Sequence, residues 1–336
     1  MGKKKSSKSP IDNVDKYLRD KFGDVFCSGT AITEKVKQII PATPSLNVIL
    51  GGGIPEGSFV IITGAPKYGK TQLALYIAAQ AQKKEYGNRK TYFANVEGRI
   101  NRRDLEGVQG LKLDIDNFEV ICSTIDKILY AEDYLEIILA YINSKTNSVF
   151  IIDSISQLCS KSRTEGNVGD RFRDDVPLML ASFTKQVSNI LPINNNIVIC
   201  VTHLIANQGM GMSQWSEASG QKVQYQSDVK LKALYIQPHM DGERQIGQII
   251  NWQCPHSALG PPMGKTTSLL RYGHGLDAEY DLIKIAIDVG IIIKGGAWLT
   301  FPNEEKVQGI EKACGMLREN TELYTEIHKQ IQELLV

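Results

Sequence analysis

Apolar positions along the chain follow two alternating rhythms. Short continuous runs recur: SFVIITG (58–64), KTYFANVE (90–97), SVFIIDS (148–154) and NIVICVTH (196–203). Between them lie longer stretches with apolar residues at helical spacing: KTQLALYIAAQAQKK (70–84), YAEDYLEIILAYINS (130–144) and VPLMLASFTKQVSNIL (176–191). Apolar strands that do not alternate with polar residues must be covered on both faces. With helices between them, they predict an α/β fold built on a mainly parallel sheet.

Outside this region the pattern changes. IDNVDKYLRDKFG (11–23) carries Ile11, Val14, Leu18 and Phe22 on one helical face and ends at Gly23, which predicts a short amphipathic helix ahead of the core. CSGTAITEKVKQIIPATPSL (27–46) reads as a connection, and GGGIPEG (51–57) as a turn cluster. Beyond 229 the chain becomes strand-like in VKLKALYIQ, IGQIINWQC and TTSLLRYG, then helical again through TELYTEIHKQIQELLV. The expected organisation is a basic tail, helix and linker over 1–36, a core over 37–275 and a small α+β domain over 276–336. There is no internal repeat.

Composition narrows the function. At 336 residues, 42% hydrophobic and 22% charged, the chain is an ordinary globular protein with a sizeable core. A net charge of +1 supplies no global basic field, so any contact with nucleic acid must come from local patches. Cys27, Cys122, Cys159, Cys200, Cys254 and Cys314 form no CxxC pair, and the five histidines form no metal pattern. Buried thiols at Cys159 and Cys200, in a reducing cytosol, are the expected state. No apolar run approaches the ~18 residues of a membrane span. The opening MGKKKSSKSP has no apolar signal segment and reads as a disordered basic tail. Its Gly2 and Ser6 also fit the loose pattern for myristoylation.

One stretch carries chemistry. In GAPKYGKT (64–71) an apolar strand runs into Gly64, and a helix begins at Lys70. The backbone of Gly64, Ala65, Pro66, Lys67, Tyr68 and Gly69 can wrap phosphate oxygens, with Gln72 in the following first turn. Lys70 reaches the β/γ-phosphates and Thr71 offers its hydroxyl to magnesium. The second GKT, at 264–266, has Gly260 one residue too close and precedes a strand. Asp153 ends VFIID and is placed to hold magnesium through water. Glu97 ends TYFANVE, which the simplest doubly wound order puts beside the phosphate-loop strand. From there its carboxylate can polarise an attacking water. Thr202 and His203, ending ICVTH, are candidate sensors of the γ-phosphate.

Taken in order, these segments resemble the RecA family of recombinases of the bacterial and bacteriophage type, from about residue 10 to the C-terminus. SLNVILGGGIPEGSFVIITGAPKYGKTQLAL is similar to the family's approach to its nucleotide. FANVE and VFIIDSISQL are similar to the strands carrying its glutamate and its magnesium ligand. EGNVGD (165–170) is similar to its first DNA-binding loop, and YGHGLDAEYDLIKIAIDVGIIIKGGAWLTF to the join with its C-terminal domain. The resemblance implies a RecA-like core with an N-terminal polymerisation helix, ATP and Mg2+ as cofactors, and a DNA-dependent ATPase. It further implies helical filaments on single-stranded DNA, pairing with homologous double-stranded DNA, and a cytoplasmic location in a bacterium or encoded by a phage. Single-strand-binding or loader proteins are further partners it leaves open. By position, the first DNA loop spans 161–173 and offers Lys161, Arg163, Gly166, Gly169, Arg171 and Arg173. The second spans 204–222 and offers Asn207, Gln208, Gly209, Met212, Trp215 and Lys222. Arginines and Lys222 suit phosphates, while Met212 and Trp215 suit wedging or stacking between bases.

Some positions depart from the family. Its paired cross-subunit lysines would fall in NWQCPHSALGPP, which has none; His256 stands near that place and Lys265 lies further on. Histidine replaces the bacterial glutamine at 203. The tyrosine expected to stack on adenine is missing from GRINRRDLEG, where Arg102 or Arg103 could present a guanidinium plane instead. No acidic tail precedes Val336, so the family's restraint on DNA binding is not expected. Two other functions compete with a recombinase: a weakly hydrolysing recombination mediator, and a hexameric ATPase on the same core.

Overall fold

The computed structural model describes residues 10–23, 25–164, 175–206, 215–217 and 226–335. The expected basic tail lies outside them. The chain forms two units, 1–38 and 39–336. In the first, helix α1 (Pro10–Phe22) matches the amphipathic pattern, and Arg19 lies over the Phe26 ring at 5.1 Å. The stretch read as a connection also contains helix α2 (Gly29–Thr33), capped by Ser28, whose hydroxyl accepts from the Ala31 N–H at 3.2 Å.

The second unit is organised by one large sheet. Short strands β1 (Ile39–Ile40) and β2 (Ile54–Pro55) pair ahead of it, with helix α3 (Pro44–Leu50) between them. The sheet then takes β3 (Phe59–Gly64), β4 (Lys90–Asn95), β5 (Phe118–Ile121), β6 (Ser148–Asp153) and β7 (Ile197–Ala206). It continues with β8 (Trp215–Glu217), β9 (Val229–Asp241), β10 (Arg244–His256), β11 (Gly264–Arg271) and β12 (Gly275–Leu276). Its order is β12-β11-β10-β9-β3-β7-β6-β4-β5, with β8 paired to β7. The run from β9 to β5 is parallel, and β9 to β12 is antiparallel.

This order corrects one expectation. Strand β4 is not beside β3, because β7 and β6 stand between them. Val60, Ile61 and Ile62 of β3 are fully buried and pair on both edges, as suits a continuous apolar run in the middle of the sheet. Strand β4 begins with a half-buried lysine and lies next to the outer strand, where Lys90 pairs with Glu119 of β5 at 2.7 Å. Polar ends are tolerated there because water reaches them.

Helices cover both faces. On one, α6 (Ala131–Ser144) and α8 (Val176–Asn194) bury Tyr134, Ile138, Phe183, Val187 and Leu191 against Phe59, Ile61, Phe150 and Ile152. On the other lies α4 (Lys70–Ala81). Nearly all its side chains are buried, which suits a helix apolar all round rather than on one stripe. The last elements, α9 (Ala278–Asp288), α10 (Ile310–Glu319) and α11 (Thr321–Leu335) with a three-stranded sheet over 293–308, gather around a separate cluster of Leu282, Ile283, Phe301, Leu317 and Ile327. No helix among the described residues is long and apolar enough to cross a membrane.

A buried polar knot ties α9 to this core. Asp281 Oδ2 accepts from the Ser45 hydroxyl at 2.6 Å, and Oδ1 from the Leu269 N–H at 3.2 Å. The Thr43, Ser45 and Ser268 hydroxyls join one another at 3.0–3.1 Å. Burial pushes the Asp281 carboxyl up to about 7, against the pull of these bonds. The folded protein therefore keeps a proton that the unfolded chain releases above the ordinary carboxylate range. That contribution to stability is present at low pH and is lost as pH rises through about 7. Thermal melts of the parent and Asp281→Asn between about pH 5 and 8 should show the parent losing ground to the variant across this window. A constant difference would mean that the carboxyl is already ionised in the fold.

Candidate functional site

The loop after β3 is shaped for an anion. Lys67 and Gly69 take left-handed backbone angles, φ 66° and 73°, which turn the chain tightly before α4. The left-handed angle at 69 favours glycine, and a side chain there would also have to displace Ile250 Cδ1, 2.4 Å away. The Lys67 carbonyl accepts from Gln248 Nε2 at 2.9 Å, which fastens the crest of the loop to β10. Helix α4 has no side-chain cap at Gly69, and the first amides of a helix have no partner within it, which suits an anion at that end. Ala65 and Tyr68 are half-buried, and Pro66 and Lys67 are exposed. Lys70 is buried and donates to the Ala65 carbonyl at 2.8 Å. Burial lowers its ammonium to about 8, while Asp153 and Glu97 pull the other way.

The carboxylates assemble through strand pairing. Thr71 Oγ1 donates to Asp153 Oδ2 at 2.5 Å. Burial raises Asp153 to about 6, opposed by the Thr71 bond and the Lys70 charge. Because β4 lies beside β6, the Glu97 N–H reaches the Asp153 carbonyl at 3.2 Å, and the two acidic residues share one rim. Glu97 Oε1 meets His203 Nε2 at 2.5 Å and accepts from the Ser154 hydroxyl at 2.8 Å. Burial opposes ionisation of Glu97, but these two bonds outweigh it and hold the carboxyl below its ordinary value. Ser154 and Ser156 hydroxyls lie 2.9 Å apart, and Ser156 accepts from the His203 N–H at 3.3 Å. Thr202 Oγ1 and His203 Nδ1 are buried with no partner among the described residues.

A cavity of about 680 Å³ runs from Pro66 past Lys70 and Thr71 to Asp153, Glu97 and His203. A second cavity of about 370 Å³ adjoins it, lined by Gln72, Asn101, Arg103, Asp104, Leu270 and Tyr272 among others. Gln72 donates from Nε2 to the Asp104 carbonyl at 3.1 Å and leaves Oε1 buried without a partner. Of the two candidate arginines, Arg103 lines this cavity. Arg102 instead pairs with Glu106 at 2.7 Å on the surface of α5 (Arg102–Glu106).

The donor set suits a magnesium nucleotide. Among the described residues no three His, Cys, Asp or Glu side chains gather as a metal cage. One carboxylate and one hydroxyl are what a cation needs when phosphates and water supply its other ligands.

The DNA candidates fall differently. Lys161 and Arg163 sit on an exposed helical turn, α7 (Lys161–Thr164). Gly166, Gly169, Arg171, Arg173, Asn207, Gln208, Gly209, Met212 and Lys222 lie outside the described residues. The second loop is not wholly irregular: β7 continues past His203, and Trp215 opens β8, paired with Ala206. His256 bonds Ser227 Oγ at 2.9 Å, Lys265 is exposed on β11, and neither lines the two cavities. Cys159 is half-buried rather than buried, Cys200 is buried, and neither is in a disulfide. Ser154, Ser156, Arg99 and Tyr272 belong to the site, and the sequence pattern does not single them out. For Ser154 a signal exists, since it directly follows the strand-terminal Asp153.

Comparison with known proteins agrees with this geometry. The RecA N-terminal domain pattern matches residues 6–277, and the RecA C-terminal domain pattern matches 280–336. Protein RecA of Thermus aquaticus is 28% identical over 333 residues, covering 98% of this chain and 95% of its own. Protein RecA of Wolinella succinogenes is 27% identical over 337 residues, covering 98% and 93%. That of Streptomyces ambofaciens is 28% identical over 315 residues, covering 93% and 82%. Matched along nearly its whole length, on a parallel-sheet core that gathers the phosphate loop and both acidic residues at one rim, the chain belongs to the RecA family of recombinases.

Proposed function

We propose that the protein is a DNA-dependent ATPase that forms helical filaments on single-stranded DNA and pairs it with homologous double-stranded DNA. The observation that carries this reading is the convergence of Lys70, Thr71, Asp153, Glu97 and His203 on one cavity, at the end of the strand that leads into the second DNA loop. Lys70 and the first amides of α4 hold the phosphates, and Thr71 and Asp153 hold magnesium. The metal, held by these two side chains, would supply positive charge to offset that of the phosphates. Glu97 orients and activates the attacking water. His203 responds to the γ-phosphate and passes the change along β7 to β8. The adenine enters the second cavity between Arg103 and Tyr272, where the free Gln72 Oε1 can accept from its exocyclic amine.

Self-assembly is supported by the outer edge of the sheet. Among the described residues strand β5 has a neighbour on one side only, and Val120, Ile125 and Ile128 are exposed on and beside it. Such an edge is a template for another chain. The amphipathic pattern of α1 suits a partner surface too, because a helix that short is marginal alone.

Electron microscopy with single-stranded DNA and a slowly hydrolysed ATP analogue tests the reading. Long helical filaments are expected. Closed rings would favour a hexameric ATPase, and no polymer would favour the mediator. One observation favours the mediator: residues 251–262 lack the lysines through which the family's subunits act on each other's nucleotide.

The DNA loops give a second expectation. Arg163→Ala and Arg171→Ala should each make the slope of log affinity against log salt shallower, by about one unit for each phosphate that is no longer neutralised. Trp215→Ala should weaken binding by ~1–3 kcal/mol per stacked base and leave the slope nearly unchanged. A salt titration of single-stranded DNA affinity distinguishes them. Unchanged affinities and slopes in all three variants would remove the loops from the DNA interface.

A further inference from the structure

We infer that Ser156 is a positioning residue that ties Glu97 to the main chain of β7. The inference rests on the reading of Glu97 as the group that activates water. Two routes join Glu97 to the end of β7. One is the direct contact of its Oε1 with the His203 ring. The other is a line of hydroxyls, from Glu97 Oε1 through Ser154 Oγ and Ser156 Oγ to the His203 N–H.

The hydroxyl route has a fixed direction. An ionised carboxylate only accepts, so Ser154 must donate to Glu97. A hydroxyl has one proton, so Ser154 accepts from Ser156, and Ser156 in turn accepts from the amide. Every donor points toward Glu97. Removing the Ser156 hydroxyl leaves a half-buried amide unpaired and takes from Ser154 the bond that orients it.

Strand pairing explains why a side chain is needed here. Strand β6 pairs with β7 only as far as Asp153 opposite Val201, and then turns into a short helical segment, Ile155–Gln157. The amide of His203, two residues further on, has no neighbouring strand on that side. Ser156 supplies the missing acceptor from its side chain. The ring contact is the shorter of the two, but it holds only the side chain and leaves His203 Nδ1 buried without a partner among the described residues. The hydroxyl route grips the backbone and works whatever the ring does. Just beyond the gripped amide, Leu204 to Ala206 pair with β8, so displacement of that ribbon is felt at Ser156, then Ser154, then the Glu97 oxygen.

The test uses the full chain with Ser156→Ala and Ser156→Thr, measuring ATP turnover with and without single-stranded DNA, ATP KM and DNA affinity. In Ser156→Ala the ratio of stimulated to basal turnover should fall about fivefold, the worth of one hydrogen bond. ATP KM and DNA affinity should stay at parent values. Ser156→Thr, which keeps the hydroxyl, should restore most of the ratio. An unchanged ratio in Ser156→Ala overturns the inference, and so does an equal loss in both variants, which would mark a packing defect. Glu97→Gln, run alongside, separates the two levels. If it turns over at the parent rate, the reading of Glu97 fails and this inference with it; if it is inactive while Ser156→Ala keeps its full ratio, only the inference fails.

Discussion

Lys70→Ala should lose ATP turnover by on the order of a hundredfold or more, because in the proposed reading it removes a buried ammonium that would meet the phosphate charge. Nucleotide-stabilised DNA binding should disappear with it. The fold should not suffer. The ammonium is desolvated and satisfied chiefly by a carbonyl of its own loop, and burial holds its pKa down at about 8. A group so placed costs stability when no anion is present, so the variant should melt at or above the parent temperature. Steady-state hydrolysis and a thermal melt on the same preparation check both halves. Parent-level turnover would dismiss the loop as a phosphate site, and a large drop in melting temperature would mean that the lysine holds the loop together rather than the ligand.

Glu97→Gln should separate binding from chemistry. Glutamine keeps the shape and can still accept from Ser154, but it cannot take a proton from water. Turnover should fall by about 10²- to 10⁴-fold, the usual worth of a general base, with nucleotide affinity retained. In the filament reading, assemblies formed with ATP should then persist for lack of hydrolysis. Binding of a fluorescent ATP analogue, followed against single-turnover hydrolysis, makes the comparison. Hydrolysis at the parent rate would assign the base elsewhere, and loss of binding would mean that Glu97 shapes the cavity.

The parts of the site legible in the sequence are the local ones. Gly64 to Thr71 needs only a strand, a turn and a helix in succession, and Asp153 needs only an apolar strand that ends in an acid. Strand order is not local. That β3 lies between β7 and β9 depends on pairings across more than a hundred residues, and nothing in TYFANVE says which neighbour it takes. The sequence argument for Glu97 rests on adjacency to β3, and that adjacency fails. Glu97 reaches the site because β6 brings Asp153 beside it. Strand β5 is hard to read because Glu119 interrupts a short apolar run, and an edge strand needs no second buried face. Ser154 is marked only by following Asp153, and Ser156 by nothing, because small hydroxyl residues after a strand read as a turn. Their role depends on the point where β6 leaves β7. Tyr272 is hidden for a similar reason, since it lines one cavity with Arg103 only once residues far apart in the chain are brought together by the fold.

Mechanically, β7 is a cantilever. Its first half is clamped between β3 and β6, where Ile197, Val198, Ile199 and Val201 have no exposure to water. On one side the clamp ends at Val201, on the other at His203, and the free length beyond carries β8. A beam held in this way does not bend evenly. A close-packed core resists deformation, so a load at the tip concentrates curvature where the grip is released, at Thr202 to Leu204. That is where the histidine facing Glu97 stands. With DNA held on that free length, as proposed above, the site would register force on the bound strand as well as its presence, and a stretched DNA and a slack one would be different inputs to the same carboxylate.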